Sequence, residues 1–191
     1  MKKRYSLDQD VVCHIFKKGK RKDGTPEPND GAGGHATQYV AAALTEYKIL
    51  AVPQSKREQA ATWFSAGKAQ AILCPFPHVA TFKIGNQAYN SKSMFPGNLT
   101  KAELIKSIER ALTSATSAHT YNGSAKVNSA NGRAWVAPAD FVRPLSDMTI
   151  ENGGYVVGRA NGMRIKGQKK GANDGELSSA FPDATGFYWK T

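Results

Sequence analysis

The last third of the chain carries the pattern that most restricts its fold. From residue 133 onward, short runs rich in β-branched and aromatic residues alternate with turn-forming residues. These runs are RAWVAPADF, GYVVGR, MRIKGQKK and ELSSAFP. The pair Asn161-Gly162 and the NDG at 173–175 are typical of the tight turns that join antiparallel strands. We therefore predict an antiparallel sheet at the carboxyl end of the chain.

Helices are expected before this sheet, because two segments begin with the spacing of a capping box. In a capping box, a Ser or Thr and a Glu three residues later each bond a backbone N–H at the start of a helix. Ser55 and Glu58 have this spacing, and so do Thr100 and Glu103. After Thr100 the apolar residues also recur on one stripe, which favours a helix packed on a core. We predict a helix from each position.

The remaining elements are predicted from spacing alone. Apolar residues at helical intervals predict a helix at about 36–47, and apolar runs bounded by prolines predict strands at 70–74 and 79–85. The segment 113–150, which opens with a loop rich in Ser, Ala and Thr, is interpreted as an insertion. Together these elements predict one α+β domain over residues 1–191, with amino-terminal helices and a carboxyl-terminal antiparallel sheet.

The charge of the chain favours a polyanionic partner. Lys and Arg number 26 against 15 Asp and Glu, a net charge of +11 that is typical of proteins that bind nucleic acid or anionic membranes. Positive charge is densest in a loop at 17–24, where Lys17, Lys18 and Lys20 are candidates for contacting RNA phosphates. No apolar run is long enough for a membrane span or a signal peptide. We expect the chain to leave its producing cell only as part of a larger protein.

Four histidines are the candidates for acid and base catalysis near neutral pH. His14 is expected on a short strand within VVCHIF, and His35 ends the glycine-rich run GAGGH. His78 follows Pro75 and Pro77 and is predicted to be structural, and His119 is predicted to lie in an exposed loop. Taken singly, a histidine is more often structural than catalytic.

RNA cleavage nevertheless needs only groups of this kind. One group removes the proton of the 2′-hydroxyl, a second protonates the departing 5′-oxygen, and a cation stabilises the extra negative charge on the phosphate. Two histidines and a lysine therefore suffice for a ribonuclease that uses no metal and no other cofactor.

The order of several short segments resembles the bacterial EndoU nucleases. The segments are HI (14–15), GGH (33–35), KSMFPGNLTKAELIKSI (92–108), VVGRANGMRIKGQKK (156–170) and GELSSAFP (175–182). In that family the second histidine lies in a GGH-like segment, and a lysine precedes an FP pair that leads into a helix. The family's last hairpin ends in G-x-x-(T/S)-A-(Y/F)-P. The resemblance spans most of the chain.

The resemblance implies a fold and a mechanism. The fold is a pair of small α+β units related to barnase, RelE and several colicins. His35 would be the general base on the 2′-hydroxyl and His14 the general acid, although the two roles can be exchanged. Lys92 would stabilise the phosphorane, and Ser179 would help to hold the base or the phosphate. The product would be a 2′,3′-cyclic phosphate, so the substrate is RNA and not DNA.

At two points the family pattern does not carry over directly to this sequence. Phe181 stands where many relatives have Tyr, so that stacking on an RNA base is retained while the hydroxyl contact is lost. Lys83 competes with Lys92 as the catalytic lysine, and Lys92 is preferred because it precedes Phe95-Pro96.

The resemblance also implies a biological setting. Its members include polymorphic and contact-dependent toxins of interbacterial competition, each the terminal domain of a longer delivered protein. Such a toxin acts in the cytoplasm of the target cell, with tRNA as one candidate substrate. Its producer would need an immunity protein, expected to be acidic and to cover the basic cleft.

Two other functions are compatible with the sequence. The first is a cysteine peptidase or amidase that pairs Cys74 with His119, whereas Cys13 and His14 would point to opposite faces of a strand. The second is a nucleic-acid-binding module without catalysis, which the charge alone supports. The two cysteines are too few for a disulfide framework, and neither has metal-ligand spacing.

Overall fold

The computed structural model is a mixed α+β structure, which confirms the predicted class. It describes Leu7 and residues 9–16, 33–36, 44–113, 119–121, 155–169, 177–184 and 186–190. The described strands form two four-stranded antiparallel sheets, ordered β3-β2-β1-β8 and β4-β5-β6-β7. The first sheet contains β1 Leu44–Val52, β2 His78–Ile84, β3 Gln87–Met94 and β8 Tyr188–Trp189. The second sheet contains β4 His119–Tyr121, β5 Tyr155–Ala160, β6 Met163–Lys169 and β7 Leu177–Pro182.

Four helices lie among the described residues. They are α1 Gln9–Phe16, α2 Ala60–Phe64, α3 Lys68–Ala71 and α4 Lys101–Thr113. Helices α1 and α4 share one apolar cluster with the second sheet, which includes Ile15, Leu104, Ile108 and Ile165. The first sheet has a cluster of its own, to which residues of α2 and α3 contribute. No helix in the described part of the chain is long and apolar enough to cross a membrane.

The second sheet agrees with the prediction where the structure describes it. The hairpin between β5 and β6 turns at Asn161-Gly162, whose φ angles of 51° and 70° are both positive. A tight turn with two positive φ angles matches the twist of the strands that it joins, and Asn-Gly adopts it at little cost. The run RAWVAPADF, the turn at 173–175 and most of the predicted insertion lie outside the described residues. Strand β4, within that insertion, replaces part of the predicted loop.

The capping box at the start of α4 is confirmed. The backbone N–H of Thr100 donates to Glu103 Oε2 (2.7 Å), and the N–H of Glu103 donates to Thr100 Oγ1 (3.2 Å). The capping box predicted for Ser55 and Glu58 is wrong. Residues Gln54–Gln59 form a 3₁₀ turn that follows Pro53 without a side-chain cap, and the α-helix begins only at Ala60.

The predicted helix at 36–47 is wrong over its described carboxyl-terminal part. Leu44–Val52 is a strand, and from Tyr47 to Ala51 buried and more exposed residues alternate with a period of two. That period belongs to a strand with one buried face, and it overrides the helical interval between Leu44 and Tyr47. The first half of the chain therefore contributes a sheet, and the antiparallel pairing is not confined to the carboxyl end.

The two strands predicted around the prolines have different outcomes. The strand at 79–85 is confirmed as β2. The strand at 70–74 is wrong, because Lys68–Ala71 is a short helix that continues into a turn. Ala71 and Cys74 are buried while Leu73 is exposed, and this three-residue interval fits helix and turn geometry.

Candidate active site

His14 lies on a helix and not on the predicted strand. Val11 and Ile15, four residues apart on α1, are both buried against the second sheet. A six-residue apolar run cannot distinguish a strand from a buried helical turn, and packing decides for the helix here. His14 lies in the last turn of α1 and is half-buried.

The segment that carries His35 is bound to the end of α1 by backbone hydrogen bonds. Gly34 N–H donates to the His14 carbonyl (3.0 Å), and His35 N–H donates to the Ile15 carbonyl (2.9 Å). On its other side, the His35 carbonyl accepts from Phe95 N–H (2.8 Å). The backbone itself therefore holds the two histidines side by side, and their ring centroids are 6.3 Å apart.

Gly33 makes this close approach possible. Its φ angle is +72°, and a Cβ atom placed on it would lie 2.1 Å from the His14 carbonyl oxygen. Only a residue without a side chain fits both the positive φ and the contact. The first glycine of the GGH motif is thus explained by its close packing against His14, the other histidine of the predicted site.

The surroundings of His35 determine which ring nitrogen carries the proton and in which direction its pKa is shifted. Nδ1 lies 2.8 Å from the Ser93 carbonyl oxygen, and since a carbonyl only accepts, Nδ1 must carry the proton. Nε2 of the neutral ring is then the basic nitrogen. Burial lowers the pKa of His35 well below 6.5, and the charges of Lys92 and His14 lower it further, against the opposing effect of the Ser93 bond. His35 is therefore a neutral base at neutral pH.

Lys92 precedes Ser93, whose carbonyl oxygen bonds the His35 ring, and its charge acts on His35. It is half-buried on β3, opposite Ala80 of β2, and it is among the causes of the lowered pKa of His35. Lys83 is not among these causes, and its Nζ forms an exposed ion pair with Glu46 (3.0 Å). The assignment of Lys92 as the catalytic lysine stays a prediction.

Phe181 and Ser179 lie on one face of β7, alternating with Ala180, which packs against the helices. The ring of Phe181 stacks on that of His35, with centroids 5.1 Å apart and an interplanar angle of 29°. Ser179 is buried, and its hydroxyl has no hydrogen-bond partner among the residues that the structure describes. The Phe181 ring thus packs on the imidazole of His35, and its predicted contact with an RNA base stays a prediction.

Two contributors to the site were not predicted from the sequence. Ser93 orients His35 through its backbone carbonyl. Any residue type can make such a contact, so it could not be predicted from the sequence. Lys166 pairs with Phe181 across β6 and β7, and its Nζ lies 6.0 Å from the centre of the Phe181 ring. The two strands were predicted, but their register was not, so the neighbour of Phe181 was unknown.

The remaining candidate residues lie outside the described part of the chain or on another strand. Lys17, Lys18 and Lys20 lie outside the described part of the chain. His119 begins β4 and is not in the predicted loop. In the described segments, no group of three or more His, Cys, Asp and Glu residues could hold a metal ion.

Cys74 and His78 form a separate, buried cluster. Burial raises the pKa of the Cys74 thiol to about 12, and its Sγ lies 3.5 Å from the Phe76 carbonyl oxygen. His78 Nδ1 donates to the same carbonyl (3.0 Å), and Nε2 accepts from the Tyr47 hydroxyl (2.6 Å). Burial lowers the pKa of His78 to about 4. Both nitrogens of His78 are engaged, which fits the predicted structural role.

The chain matches none of the protein-family models, curated proteins or solved structures with which it was compared.

Proposed function

We propose that the protein is a metal-independent endoribonuclease of the EndoU type. The observation that carries the proposal is the paired arrangement of His14 and His35, 6.3 Å apart, with the charge of Lys92 acting on His35. A base, an acid and a cation are the groups that this reaction needs.

The proposed mechanism follows from the state of His35. Its Nε2 takes the proton of the 2′-hydroxyl, and the 2′-oxygen attacks the phosphorus. His14 donates a proton to the 5′-oxygen as the P–O5′ bond breaks, while Lys92 stabilises the charge that builds up on the phosphorane. The products are a 2′,3′-cyclic phosphate and a 5′-hydroxyl. The lowered pKa of His35 favours this residue as the base, since it is unprotonated at neutral pH.

The hydroxyl of Ser179 would complete the site. It is buried on the strand that carries Phe181 and has no hydrogen-bond partner among the described residues, so a phosphate oxygen or a base could satisfy it. Lys17, Lys18 and Lys20 would follow the phosphates of a longer RNA, in line with the net charge of +11.

The proposal extends to the fold family and the biological setting. Two sheets with separate apolar clusters are compatible with the pair of α+β units expected of EndoU-like proteins. The protein would then be a toxin domain delivered as part of a larger protein into a target cell, where it cuts RNA, with tRNA one candidate. An acidic immunity protein would protect the producer.

The charge supports a second candidate, a nucleic-acid-binding module without catalysis. The cysteine peptidase is disfavoured, because a thiol with a pKa of about 12 supplies almost no nucleophilic thiolate at neutral pH. Cys13 and His14, as successive residues of a helix, project about 100° apart.

Cleavage of RNA in the presence of EDTA tests the proposal. The protein should cut RNA, leave DNA of the same sequence intact and produce 2′,3′-cyclic phosphate ends. His35→Ala or His14→Ala should lower the rate by about 100- to 10,000-fold while circular dichroism remains unchanged. Lys92→Gln should also lower the rate, whereas the matched change Lys83→Gln should not. Binding of RNA without cleavage would identify the non-catalytic module instead.

A further inference from the structure

Strand β3 contains a β-bulge immediately before Lys92. Two cross-strand pairs between β2 and β3 define it, namely Phe82 with Tyr89 and Ala80 with Lys92. Between these pairs β2 has one residue, Thr81, whereas β3 has two. An extra residue on one strand of a pair is a β-bulge, and bulges beside active sites change the direction in which a nearby side chain projects.

The bulge determines the face of the first sheet on which Lys92 lies. Tyr89 and Met94 belong to the same apolar cluster, although they are five positions apart and regular alternation would put them on opposite faces. The extra residue restores the phase, so Lys92, opposite Ala80 and two residues before Met94, lies on that face too. If regular pairing continued from Tyr89, Lys92 would pair with Val79 and project from the other face.

The segment that carries His35 approaches the same face of the sheet. A Cβ atom placed on Gly34 would lie 4.0 Å from Cζ of Phe82, whose ring belongs to that apolar cluster. The His35 ring bonds the carbonyl of Ser93, the residue after Lys92. The bulged register therefore puts Lys92 on the face that this segment approaches, and the charge of Lys92 acts on His35.

The bulge is strained, and a side chain of the neighbouring strand stabilises it. Ser91 has a φ of 51°, in the left-handed region that residues other than glycine seldom adopt. Ser91 is not among the paired residues of β3, and its N–H donates instead to the Thr81 hydroxyl oxygen (3.3 Å). Strained backbone of this kind persists where the surrounding structure holds it, and it is concentrated at functional sites. Here it lies one residue before Lys92.

We propose that this bulge, held by the Thr81 hydroxyl, positions Lys92 for its part in the cleavage of RNA. The inference rests on the proposed nuclease function and adds two residues to it. Ser91 and Thr81 act through Lys92, so they are positioning residues and not catalytic ones. Loss of the bulge would let β3 slip toward the regular register, which turns Lys92 away from His35.

NMR titration of His35 tests the inference without any cleavage. The charges that act on its pKa are those of Lys92 and His14, and His14 stays unchanged in every variant. Thr81→Val keeps the shape of the side chain but removes the acceptor, and it should raise the pKa of His35, as Lys92→Gln does. Thr81→Ser keeps the hydroxyl and should leave that pKa unchanged. Thr45→Val removes an exposed hydroxyl on β1 and serves as the matched control without effect.

The same substitution in a Lys92→Gln background separates positioning from a general structural effect. If Thr81 acts through Lys92, Thr81→Val should raise the pKa of His35 no further once the charge of Lys92 is gone. A shift of equal size with and without Lys92 would overturn the proposal, and so would the absence of any shift in Thr81→Val.

Substitutions of Ser91 test the bulge from the other strand, in case Thr81→Val does not fold. A β-branched residue disfavours a positive φ, whereas glycine adopts it freely. Ser91→Val should therefore raise the pKa of His35 and Ser91→Gly should not, and equal pKa values in the two variants would contradict the proposal.

Cleavage of RNA provides a second measurement on the same variants. Thr81→Val and Ser91→Val should lower kcat by up to roughly 100-fold, the effect of a displacement of about 1 Å between reacting groups. Neither should lower kcat further in the Lys92→Gln background. Failure of the unmodified protein to cleave any RNA would overturn the nuclease function, whereas the titration of His35 would still decide whether the bulge positions Lys92.

Discussion

Replacing Gly33 by Ala should disable the site by separating the two histidines. The new Cβ atom would lie 2.1 Å from the His14 carbonyl oxygen, whereas ordinary contacts begin at 3.4 Å. Either the end of α1 or the segment bearing His35 must therefore move by more than 1 Å. The same carbonyl accepts the N–H of Gly34, so the movement also strains the bond that joins the two segments.

The loss of stability expected for Gly33→Ala has two contributions. A left-handed conformation costs an Ala about 1–2 kcal/mol, and an overpacked contact adds roughly 1–3 kcal/mol. Gly162→Ala isolates the first contribution, because Gly162 has a φ of +70° and nothing within 4 Å of its added Cβ. A displacement of about 1 Å between reacting groups can lower a rate by roughly 100-fold. We expect that loss in kcat/KM for Gly33→Ala and none for Gly162→Ala.

Urea unfolding and RNA cleavage should be measured on both variants. Gly33→Ala should have the lower free energy of unfolding of the two, by roughly 1–3 kcal/mol. If both variants lost the same stability and both retained activity, the contact between Gly33 and His14 would have no part in holding the site together.

Three other predictions concern the rings and their protonation. The acidic limb of kcat/KM should lie below pH 6.5, and in Lys92→Gln the NMR titration of His35 should move to higher pH, because the charge of Lys92 lowers that pKa. The pKa of His78 is lowered to about 4 in the folded state, so the unfolded state binds the extra proton between pH 6.5 and 4. The contribution of His78 to stability should therefore be complete above pH 6.5 and fall by about 3 kcal/mol on acidification to pH 4, so the loss measured by urea unfolding should be smaller by about that amount in His78→Gln. Phe181→Leu should lower kcat by about 2- to 12-fold through loss of a stacking contact worth about 0.5–1.5 kcal/mol, whereas Phe181→Tyr should retain it.

The parts of the fold that could be predicted from sequence are those with local causes. The turn at Asn161-Gly162 needs two positive φ angles, and the start of α4 is stabilised by Thr100 and Glu103, three residues apart. In both cases the residues that determine the structure are neighbours in the chain. Residue type and spacing alone were then sufficient.

The parts that were missed depend on distant partners. Strand β1 is fixed by pairing with β2 and β8, and α1 by packing on the second sheet, so neither could be recognised from a short apolar run. The proton on His35 is fixed by the carbonyl of Ser93, 58 residues away. The identities of His14, His35 and Lys92 as candidates came from sequence, but their arrangement came from tertiary structure.

The backbone bonds around His35 also bear on when the protein can become active. His35 is joined to the end of α1 through Ile15 and to the segment after β3 through Phe95, so three distant stretches of chain must meet before the histidines are paired. Closing such loops costs entropy that only the native contacts recover. Under the proposed chemistry, a chain in which these segments have not yet met has no nuclease activity. Cleavage of RNA would then begin only after the last of these segments has docked.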